Sequence, residues 1–389
     1  MPDDQQKPPS EALRETGVVR VMTSTSVHKH VTAFQTTRLP ILQVALDVGL
    51  MTEHLRPLLG ALAGPGAAPE VRYARLLAYK QGNRGLLRYE LAGLPQPEGA
   101  VLFGKLFGEL RQAERLHETM RALWAIFAGT PGVGVPRPLG CVPELAMFVY
   151  VPAEGQFLNE VIGGEGALRA MELAGTWLGA LHRGRLPLER HFHMANEVVN
   201  LQAWASLVGQ RYPEMAEGAE RIAAYLRERA TTLPFDTASP IHKDFHYGHI
   251  VVGDRLAVID FDEMRLGDPN FDLAHFCANL HLLAYRTSDM PYTFSALQRA
   301  FLGAYAAQTG WSSDERFVYF YAYTCLKIAK QLCTLRGLRP RPEGEEQRRQ
   351  VALMIAQGLG SLPSDGGKKL ASRFATQLIE RPAPEPRQE

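Results

Sequence analysis

Short runs of alternating apolar and polar residues dominate the chain between about residues 70 and 110. The runs YARLLAYK and GLLRYEL flank the turn QGNRG, and GAVLFGKLF follows after a second polar stretch. Alternation with a period of two is typical of strands that bury one face, and a glycine-containing turn between two such runs indicates a hairpin. The pattern therefore predicts three strands, the first two of them joined as a β-hairpin.

The next segment changes from strand-like to helical periodicity. In RQAERLHETMRALWAIF the apolar side chains recur every three or four positions, at Leu116, Met120, Leu123, Trp124 and Phe127. This spacing predicts an amphipathic helix that packs on the sheet. The stretch GTPGVGVPRPLG is rich in glycine and proline and is expected to be a loop. ELAMFVYVPAEG is expected to be a buried strand that ends at Pro152 and Gly155.

Beyond about residue 155, helical periodicity dominates the chain. Helices are predicted within GALRAMELAGTWLGALHRG, LQAWASLVGQRY, TFSALQRAFLGAYAAQTG and FVYFYAYTCLKIAKQLCTL. One interruption, HIVVGD followed by LAVIDFD, predicts a short hairpin inside this helical part. Ahead of the sheet, ILQVALDVGLMTEHLRPLLGAL predicts one or two further helices.

These elements predict an α+β protein in which a small antiparallel sheet lobe is followed by a larger, mainly helical lobe. A chain of 389 residues is long enough for two such lobes. We expect the sheet lobe, with its preceding helices, to span residues 18–152 and the helical lobe to span 153–375. Segments 1–17 and 376–389 lack apolar periodicity, so they are expected to be disordered tails.

Composition argues against several classes of function. With 42 Lys and Arg against 41 Asp and Glu, the net charge is +1, which gives no overall attraction to nucleic acid or to an anionic membrane. The basic stretch RGLRPRPEGEEQRRQ also contains glutamates and is expected to be a solvated connection. The four cysteines form no CxxC pair, and the N-terminus shows no signal-peptide pattern. We therefore expect a cytoplasmic protein that binds neither nucleic acid nor a membrane, and the oligomeric state stays open.

The predicted hairpin of the helical lobe carries the densest chemistry. HKDFHYGHI leads into it and VIDFDEMRLGDPNFDLAH follows from it, so Asp244 and Asp260 come to the same end of the hairpin. Two carboxylates there suit the binding of Mg²⁺ and the orientation or deprotonation of an attacking hydroxyl. In the sheet lobe, Gly82 and Gly85 allow a phosphate to approach the backbone, and Lys105 supplies a cation. Together these residues predict a phosphoryl-transfer site.

The same two stretches resemble the aminoglycoside phosphotransferase and choline kinase group of small-molecule kinases. That group carries a His-x-Asp-x-x-x-x-Asn catalytic loop, an Ile-Asp-Phe/Trp metal motif and then Gly-Asp-Pro-x-x-Asp-Leu-Ala. The resemblance is strong across residues 240–280 and extends more weakly over 70–160. It implies a bilobal protein-kinase-like fold that moves the γ-phosphoryl group of ATP or GTP to a hydroxyl of a small molecule. The implied acceptors are amino sugars, sugars, amino alcohols and antibiotic-like compounds.

The resemblance also implies roles for individual residues of the helical lobe. Asp244 corresponds to the catalytic base, His242 to a brace behind the catalytic loop, and Asp260 to the principal Mg²⁺ ligand. Asp272 resembles the buried aspartate that pins the catalytic loop. Asp268 is expected to cap the helix that follows.

On the nucleotide side, Lys105 resembles the strand lysine that grips the phosphates and pairs with a carboxylate on the next helix. Glu114 and Glu118 compete for that pairing, and Glu114 is preferred. The strand MFVYV, which includes Val149 and Val151, corresponds to the linker whose backbone contacts the adenine edge.

Some positions depart from the pattern of the family. His249 stands where the family has the asparagine that binds a second metal ion, and Mg²⁺ prefers oxygen ligands. We therefore expect a site that binds the second Mg²⁺ poorly or favours a softer ion such as Mn²⁺. QGNRG is not a GxGxxG sequence, and its Arg84 is a candidate for a guanidinium contact to phosphate. Asp262, which follows the metal motif, is expected to cap a turn or face solvent.

Two other functions remain open on the sequence. One is a nucleotide-binding pseudokinase, which His249 and the unusual phosphate turn favour and which the retained Lys105, Asp244 and Asp260 oppose. The other is metal-dependent hydrolysis at a zinc site.

The zinc site would use the histidines of the catalytic loop. His242, His246 and His249 offer three imidazoles, and Asp260 or His275 would complete the ligand set. The spacing of the first two histidines suits ligands on a helix. The surrounding residues instead predict a loop that enters a strand, which disfavours this alternative.

Overall fold

In a computed structural model of the chain, the described residues are 39–60, 62–63, 68–80, 84–94, 100–287, 292–334 and 344–363. The two predicted tails lie outside these ranges, and so does Gly82. Within the described ranges, an antiparallel sheet precedes a mainly helical part. This order confirms the α+β arrangement that the hydrophobic pattern predicts.

Five antiparallel strands form the sheet of the N-terminal part, in the order β1-β2-β3-β6-β5. Their bounds are β1 Glu70–Lys80, β2 Arg84–Ala92, β3 Val101–Phe107, β5 Arg137–Val142 and β6 Met147–Val151. Strand β1 pairs with β2 from Glu70 opposite Ala92 to Lys80 opposite Arg84, which confirms the predicted hairpin. Alternate residues of β2 and β3 are buried, so one face of the sheet contributes to a core.

Three helices pack against this sheet: α1 Leu39–Leu46, α2 Val48–Leu59 and α3 Leu110–Ala128. Helix α2 begins after Asp47, whose carboxylate accepts the N–H of Leu50 at 2.9 Å. It shares a hydrophobic core with the sheet that includes Met51, Leu87 and Leu102. Helix α3 contacts β3, β5 and β6, and its buried residues belong to the core of the helical part. Helix α3 therefore packs between the two parts of the fold.

Strand β5 differs from the sequence prediction, which placed its residues in a loop. It pairs antiparallel with β6, from Arg137 opposite Val151, with a register shift between Pro138 and Gly140. Proline cannot donate to a strand ladder and is tolerated at sheet edges and bulges. Because β5 is an edge strand and carries a register shift, the residues that indicated a loop fit into a strand.

Helices make up most of the C-terminal part. Their bounds are α4 Leu158–Val161, α5 Ala167–Arg183, α6 Met194–Val198, α7 Leu201–Arg211, α8 Ala216–Arg229, α9 Asn270–Arg286, α10 Phe294–Thr309, α11 Glu315–Thr334 and α12 Gly344–Ser361. Their buried residues form one hydrophobic cluster. Helices α5 and α10 approach so closely that a Cβ on Gly175 would clash with the carbonyl oxygen of Phe301. Across the described residues, no helix is both long and apolar enough to cross a bilayer.

Helix α12 includes the residues GEEQRRQ, which the sequence placed in a solvated connection. The side chain of Gln347 donates to the carbonyl oxygen of Leu332 in α11 at 2.6 Å. The side-chain oxygen of Gln350 accepts from Arg286 in α9 at 2.6 and 3.0 Å. These polar residues are buried because each pairs with a neighbouring helix. The preceding residues 335–343 lie outside the described ranges.

Two short sheets lie within the helical part. Strands β9 Ile250–Val252 and β10 Leu256–Val258 form the predicted antiparallel hairpin, with β7 Gln156–Phe157 and β4 Val133–Gly134 on its two sides. Strand β8 Ser239–Ile241 pairs with β11 Arg265–Gly267. Because both sheets involve the same stretch of chain, the β8–β9 loop and the β10–β11 loop lie side by side.

Candidate active site

The β8–β9 loop carries Asp244, the predicted base, on a tightly held backbone. The main-chain N–H groups of His242 and Lys243 donate to the two carboxylate oxygens of Asp272, at 2.6 and 2.9 Å. Lys243 has a φ of +69°, a left-handed conformation that costs energy for residues other than glycine. The paired hydrogen bonds to Asp272 stabilise this turn and so fix the position of Asp244.

Asp272 lies in the first turn of α9, is fully buried and has a third partner. His182 Nε2 lies 3.1 Å from Asp272 Oδ2, and His182 Nδ1 lies 2.9 Å from the hydroxyl of Tyr305. A carboxylate only accepts, so His182 donates through Nε2, and its Nδ1 pairs with the Tyr305 hydroxyl. Sequence reasoning missed His182 and Tyr305 as partners of the loop, because they come from two distant helices and no local pattern joins them.

A buried aromatic cluster packs behind both loops of the site. The indole of Trp177 in α5 stacks on Phe245 of the first loop at 5.7 Å and on Phe261 of the second at 6.1 Å between ring centroids. His242 packs against Phe261 at 5.3 Å, and its Nε2 donates to the carbonyl oxygen of Ile259 at 3.0 Å. Burial lowers the pKa of His242, so its ring is neutral at neutral pH. His242 therefore links the loop of Asp244 to the residue before Asp260.

Asp260 lies just after β10 and faces two of the predicted site residues. One carboxylate oxygen lies 3.1 Å from Lys105 Nζ, and the other lies 3.7 Å from His249 Nε2. Its φ of +66° is left-handed, a conformation that aspartate tolerates better than most residues. Partial burial by itself would raise the pKa of Asp260, but the Lys105 ammonium and His249 lower it. Asp260 is therefore an ionised carboxylate at neutral pH.

The orientation of His249 leaves its Nε2 facing Asp260. Its Nδ1 lies 2.9 Å from the main-chain carbonyl oxygen of Asp244. A carbonyl only accepts, so Nδ1 carries a proton and donates to it, and Nε2 is the nitrogen that a metal ion could bind. Nε2 and Asp260 Oδ2 are 3.7 Å apart, so both atoms can bind one divalent ion. This donor pair fits ligand distances of about 2.1 Å.

Three histidines surround the carboxylate of Asp244. His275 Nε2 lies 3.4 Å from Oδ1, whereas His249 Nδ1 and His246 Nε2 lie 3.8 and 3.9 Å from Oδ2. Partial burial by itself would raise the pKa of Asp244, but the long hydrogen bond from His275 Nε2–H lowers it well below its usual value. Asp244 is therefore ionised at neutral pH, as a group that accepts a hydroxyl proton must be.

Asp244, His246 and His249 lie close enough together to bind one metal ion, which corresponds to the zinc alternative. The hydrogen bonds oppose that ligand set. Nδ1 of His246 accepts the N–H of Gly248 at 3.0 Å, so the proton of the neutral ring is on Nε2, the nitrogen nearer Asp244. Burial lowers the pKa of His246 to about 3, so the ring is neutral. Metal binding by His246 would therefore require a different tautomer.

Lys105 pairs with carboxylates of the β10–β11 loop. Its Nζ lies 2.7 Å from Asp262 Oδ1 and 3.1 Å from Asp260 Oδ1. Burial by itself would lower the pKa of Lys105, but ionised Asp262 and Asp260 raise it above its usual value. Neither Glu114 nor Glu118 forms an ion pair with it in the described part of the chain. In place of the expected α3 glutamate, Lys105 has Asp262 as its nearest partner.

Asp262 also binds the arginine of the predicted phosphate turn. Its side chain is only 5% exposed, which differs from the expected solvent-facing position. Its Oδ2 accepts from Arg84 at 2.7 Å, and its main-chain carbonyl accepts from Arg190 at 2.6 Å. One carboxylate thus joins Lys105 to Arg84. Counting positions along the sequence could not find this contact, because the left-handed backbone at Asp260 breaks the regular alternation of side chains.

The glutamates of α3 face other surroundings. Glu118 lines a cavity of about 420 Å³ together with Arg84, Arg190 and Asp262. Burial, with the negative charges of Glu114 and Glu118 added to it, raises the pKa of Cys141 in β5 to about 11. Helix α3 therefore directs these carboxylates toward β5 and the cavity.

The remaining nucleotide-side residues belong to the sheet. Gly85 lies at the start of β2, opposite Leu106 of β3. Val149 and Val151 are buried on β6, where Val149 lies opposite Gly104. Strand β6 is the last strand of the sheet before the chain enters the helical part. The contact of this strand with adenine stays a prediction.

Asp268 connects three parts of the helical region at the start of α9. Its carboxylate accepts the N–H of Asn270, the first residue of α9, at 2.9 Å. It also accepts the N–H of Asp236 at 3.0 Å and a guanidinium N–H of Arg316 at 3.2 Å. The buried carboxylate of Asp268 therefore does more than cap α9. It also connects α9 to the segment before β8 and to the start of α11.

Comparison with known families identifies one match. The family model described as "Phosphotransferase enzyme family" (APH) matches residues 100–321, which is more than half of the chain. The matched range includes Lys105, Asp244, Asp260 and Asp272. No curated protein matches the chain.

Several solved structures are similar to this chain. A choline kinase from Cryptosporidium parvum Iowa II is 11% identical, covers 84% of this chain and 99% of its own, and has a TM-score of 0.50. A putative aminoglycoside phosphotransferase from Ralstonia eutropha JMP134 is 15% identical, with coverages of 86% and 96% and a TM-score of 0.49. An amicoumacin kinase in complex with AMP-PNP and Ca²⁺ is 15% identical, with coverages of 90% and 96% and a TM-score of 0.48. The likeness to the choline kinase supports the bilobal kinase-like fold.

Proposed function

Since the chain belongs to the phosphotransferase enzyme family and is a small-molecule phosphotransferase, we propose that it transfers the γ-phosphoryl group of ATP or GTP to a hydroxyl group. The observation that carries this proposal is the arrangement around His249. Its Nδ1 lies 2.9 Å from the main-chain carbonyl oxygen of Asp244, and its Nε2 lies 3.7 Å from Asp260 Oδ2, so His249 contacts both the proposed base and the proposed metal ligand. We propose an amino sugar, sugar, amino alcohol or antibiotic-like compound as the acceptor.

Asp260 and His249 are the residues that would hold a divalent cation. The fit rests on Oδ2 of Asp260 and Nε2 of His249, which face each other at 3.7 Å. Mg²⁺ prefers oxygen ligands, and an imidazole in the set favours Mn²⁺ relative to an all-oxygen site. A cation bound here neutralises part of the negative charge of the transferring phosphates.

Lys105 and Arg84 supply the protein's own positive charge for the phosphates. Both cations point toward the β10–β11 loop, where Asp262 holds them at 2.7 Å each. Phosphate oxygens accept strong, charge-assisted hydrogen bonds from such groups. We assign the β6 strand, with Val149 and Val151, to the adenine or guanine side.

Asp244 orients the acceptor hydroxyl and takes its proton. The transition state of phosphoryl transfer is mostly dissociative, so orientation of the hydroxyl matters more than early deprotonation. The lowered pKa of Asp244 keeps it able to accept a hydrogen bond at neutral pH. The proton moves to a carboxylate oxygen as the new oxygen–phosphorus bond forms.

Thermal unfolding with ATP or GTP, with and without Mg²⁺ or Mn²⁺, tests the nucleotide and metal assignments. A ligand at one hundred times its Kd stabilises the folded state by about 2.7 kcal/mol, which raises the unfolding midpoint. We expect Asp260→Ala to lose the metal-dependent shift, because it removes the carboxylate of the donor pair. Asp244→Ala should keep the shift and lose nucleoside-diphosphate release in an acceptor screen.

Two results would contradict the proposal. Full turnover by Asp244→Ala would show that Asp244 is not the base. Stoichiometric zinc that survives dialysis of the purified protein would favour the zinc alternative over a nucleotide-dependent metal site.

A further inference from the structure

His275 is a buried histidine next to the base, one turn along α9 from Asp272. It is 4% exposed, and its ring stacks on that of Phe271 at 5.7 Å between centroids, with 13° between the planes. Its Nε2 lies 3.4 Å from Asp244 Oδ1, the shortest approach of the three histidines to this carboxylate. This contact joins α9 directly to the β8–β9 loop and involves no residue of the β10–β11 loop.

The position of the proton on His275 follows from its neighbours. Asp244 is ionised and can only accept, so Nε2 is the nitrogen that donates. Burial lowers the pKa of His275, so the neutral ring has a single proton. Nδ1 is buried and has no hydrogen-bond partner among the described residues. Leaving a buried nitrogen unpaired costs stability, which indicates that another requirement holds the ring in place.

The other two histidines are not equivalent to His275. His249 uses its Nδ1 proton on the main-chain carbonyl of Asp244, and His246 lies 3.9 Å away. Both are nearer to Oδ2, whereas His275 approaches Oδ1. A hydrogen bond on Oδ1 fixes the rotation of the carboxylate and leaves Oδ2 for the acceptor hydroxyl.

We propose that His275 is the positioning residue of the base, an inference that rests on the phosphotransfer function proposed above. Its Nε2–H holds Asp244 Oδ1 so that the acceptor hydroxyl donates to Oδ2. The hydroxyl proton passes to Oδ2 as the acceptor oxygen bonds to the γ-phosphorus and the bond to the leaving nucleoside diphosphate breaks. His275 keeps its proton throughout. Helix α9 thus positions the backbone of the β8–β9 loop through Asp272 and the carboxylate of Asp244 through His275.

Two variants at this position separate donation from ring packing. His275→Phe keeps a flat ring against Phe271 but has no N–H, and His275→Gln places an amide N–H near the position of Nε2. His281→Phe is the matched control, because His281 lies on the same helix, is mostly buried, packs on Phe294 at 4.2 Å and also has an unpartnered Nδ1 among the described residues.

We expect His275→Phe to lower kcat by about 10- to 100-fold, the loss typical of a slightly misplaced catalytic group. The KM for nucleotide and the metal-dependent thermal shift should not change, because Lys105, Asp260 and His249 keep their contacts. His275→Gln should recover most of the lost kcat, and His281→Phe should behave as wild type. Equal kcat values for wild type and His275→Phe, or a parallel fall in nucleotide affinity, would overturn the positioning role.

A second measurement does not depend on turnover. In protein with ¹⁵N-labelled histidine, the ring signals that disappear in His275→Gln belong to His275. We expect them to report a neutral ring with the proton on Nε2, and to shift in Asp244→Ala. A proton on Nδ1, or signals unaffected by Asp244→Ala, would overturn the proposal. Absence of any phosphoryl transfer by wild type, with these signals as expected, would reject the phosphotransfer function but retain the contact.

Discussion

Replacing Asp272 with alanine tests how strongly the catalytic loop is held. The fully buried carboxylate accepts the N–H groups of His242 and Lys243 at 2.6 and 2.9 Å and the Nε2–H of His182 at 3.1 Å. Alanine leaves these three donors without acceptors inside the protein. It also removes the support for the left-handed backbone at Lys243.

The magnitude follows from these lost contacts. A hydrogen bond to a charged group contributes about 1.5–3 kcal/mol, so three of them set an upper limit of about 5–9 kcal/mol. The variant no longer has to bury a carboxylate, which offsets part of this loss. We therefore expect Asp272→Ala to lower the free energy of unfolding by about 3–5 kcal/mol. Asp272→Asn keeps one oxygen acceptor but turns an NH₂ group toward a donor, and should cost about 2–3 kcal/mol.

Urea unfolding, followed by circular dichroism, measures these changes through the midpoint and the slope of the transition. Glu172→Ala is the control, since Glu172 forms an exposed pair with Arg169 at 3.0 Å and should cost less than about 1 kcal/mol. A loss below about 1 kcal/mol in Asp272→Ala would refute the reasoning, because it would mean that water or a shifted loop satisfies all three donors.

Two further substitutions test the metal and lysine assignments. His249→Asn should keep or improve turnover with Mg²⁺ and reduce any preference for Mn²⁺, because an amide oxygen replaces the imidazole nitrogen; an unchanged metal preference in steady-state assays would argue against His249 as a ligand. Asp262→Asn should weaken nucleotide binding by about tenfold in calorimetric titration, since Lys105 loses its nearest charged partner, and a loss of about 1.4 kcal/mol corresponds to that factor. Glu263→Gln is its control, and equal dissociation constants for the two variants would show that Asp262 does not hold Lys105 for the phosphates.

The parts of the fold that sequence predicts well are those whose local pattern agrees with their packing. The β1–β2 hairpin has alternating strands on both sides of a glycine-containing turn, and it forms as predicted. Strand β5 was wrongly predicted as a loop, because Pro138 and Gly140 disfavour a strand in the local sequence. The strand forms because it pairs with the neighbouring β6. The start of α12 was missed for a similar reason. Gln347 and Gln350 look solvated in the sequence, and only contacts with other helices bury them.

For the site, the sequence predicts which residues occur but not how they pair. The proximity of Asp244 and Asp260 could be predicted from the sequence because a short hairpin separates them. The pairing of Lys105 with Asp262 depends on the left-handed backbone at Asp260. Residue spacing in the sequence does not predict that conformation. The contact of Asp244 with His275 depends on how α9 packs against the loop. Such contacts arise from the tertiary fold, so their partners could not be assigned from one sequence.

Contacts with helix α9 hold the loop residues of the site in a defined position. Within two turns this helix presents Asp272 to the backbone of the β8–β9 loop and His275 to Asp244. Asp268, just before the helix, binds Arg316 and the N–H of Asp236 ahead of β8. The β8–β9 loop is strained at Lys243 and carries clustered charge. Both features disfavour its folded conformation unless the contacts with α9 stabilise it. Changes at Asp272 should therefore affect stability and turnover together. Changes at Asp244 should mainly reduce turnover, because among the described residues the nearest charged or imidazole group to its carboxylate is His275, at the long distance of 3.4 Å.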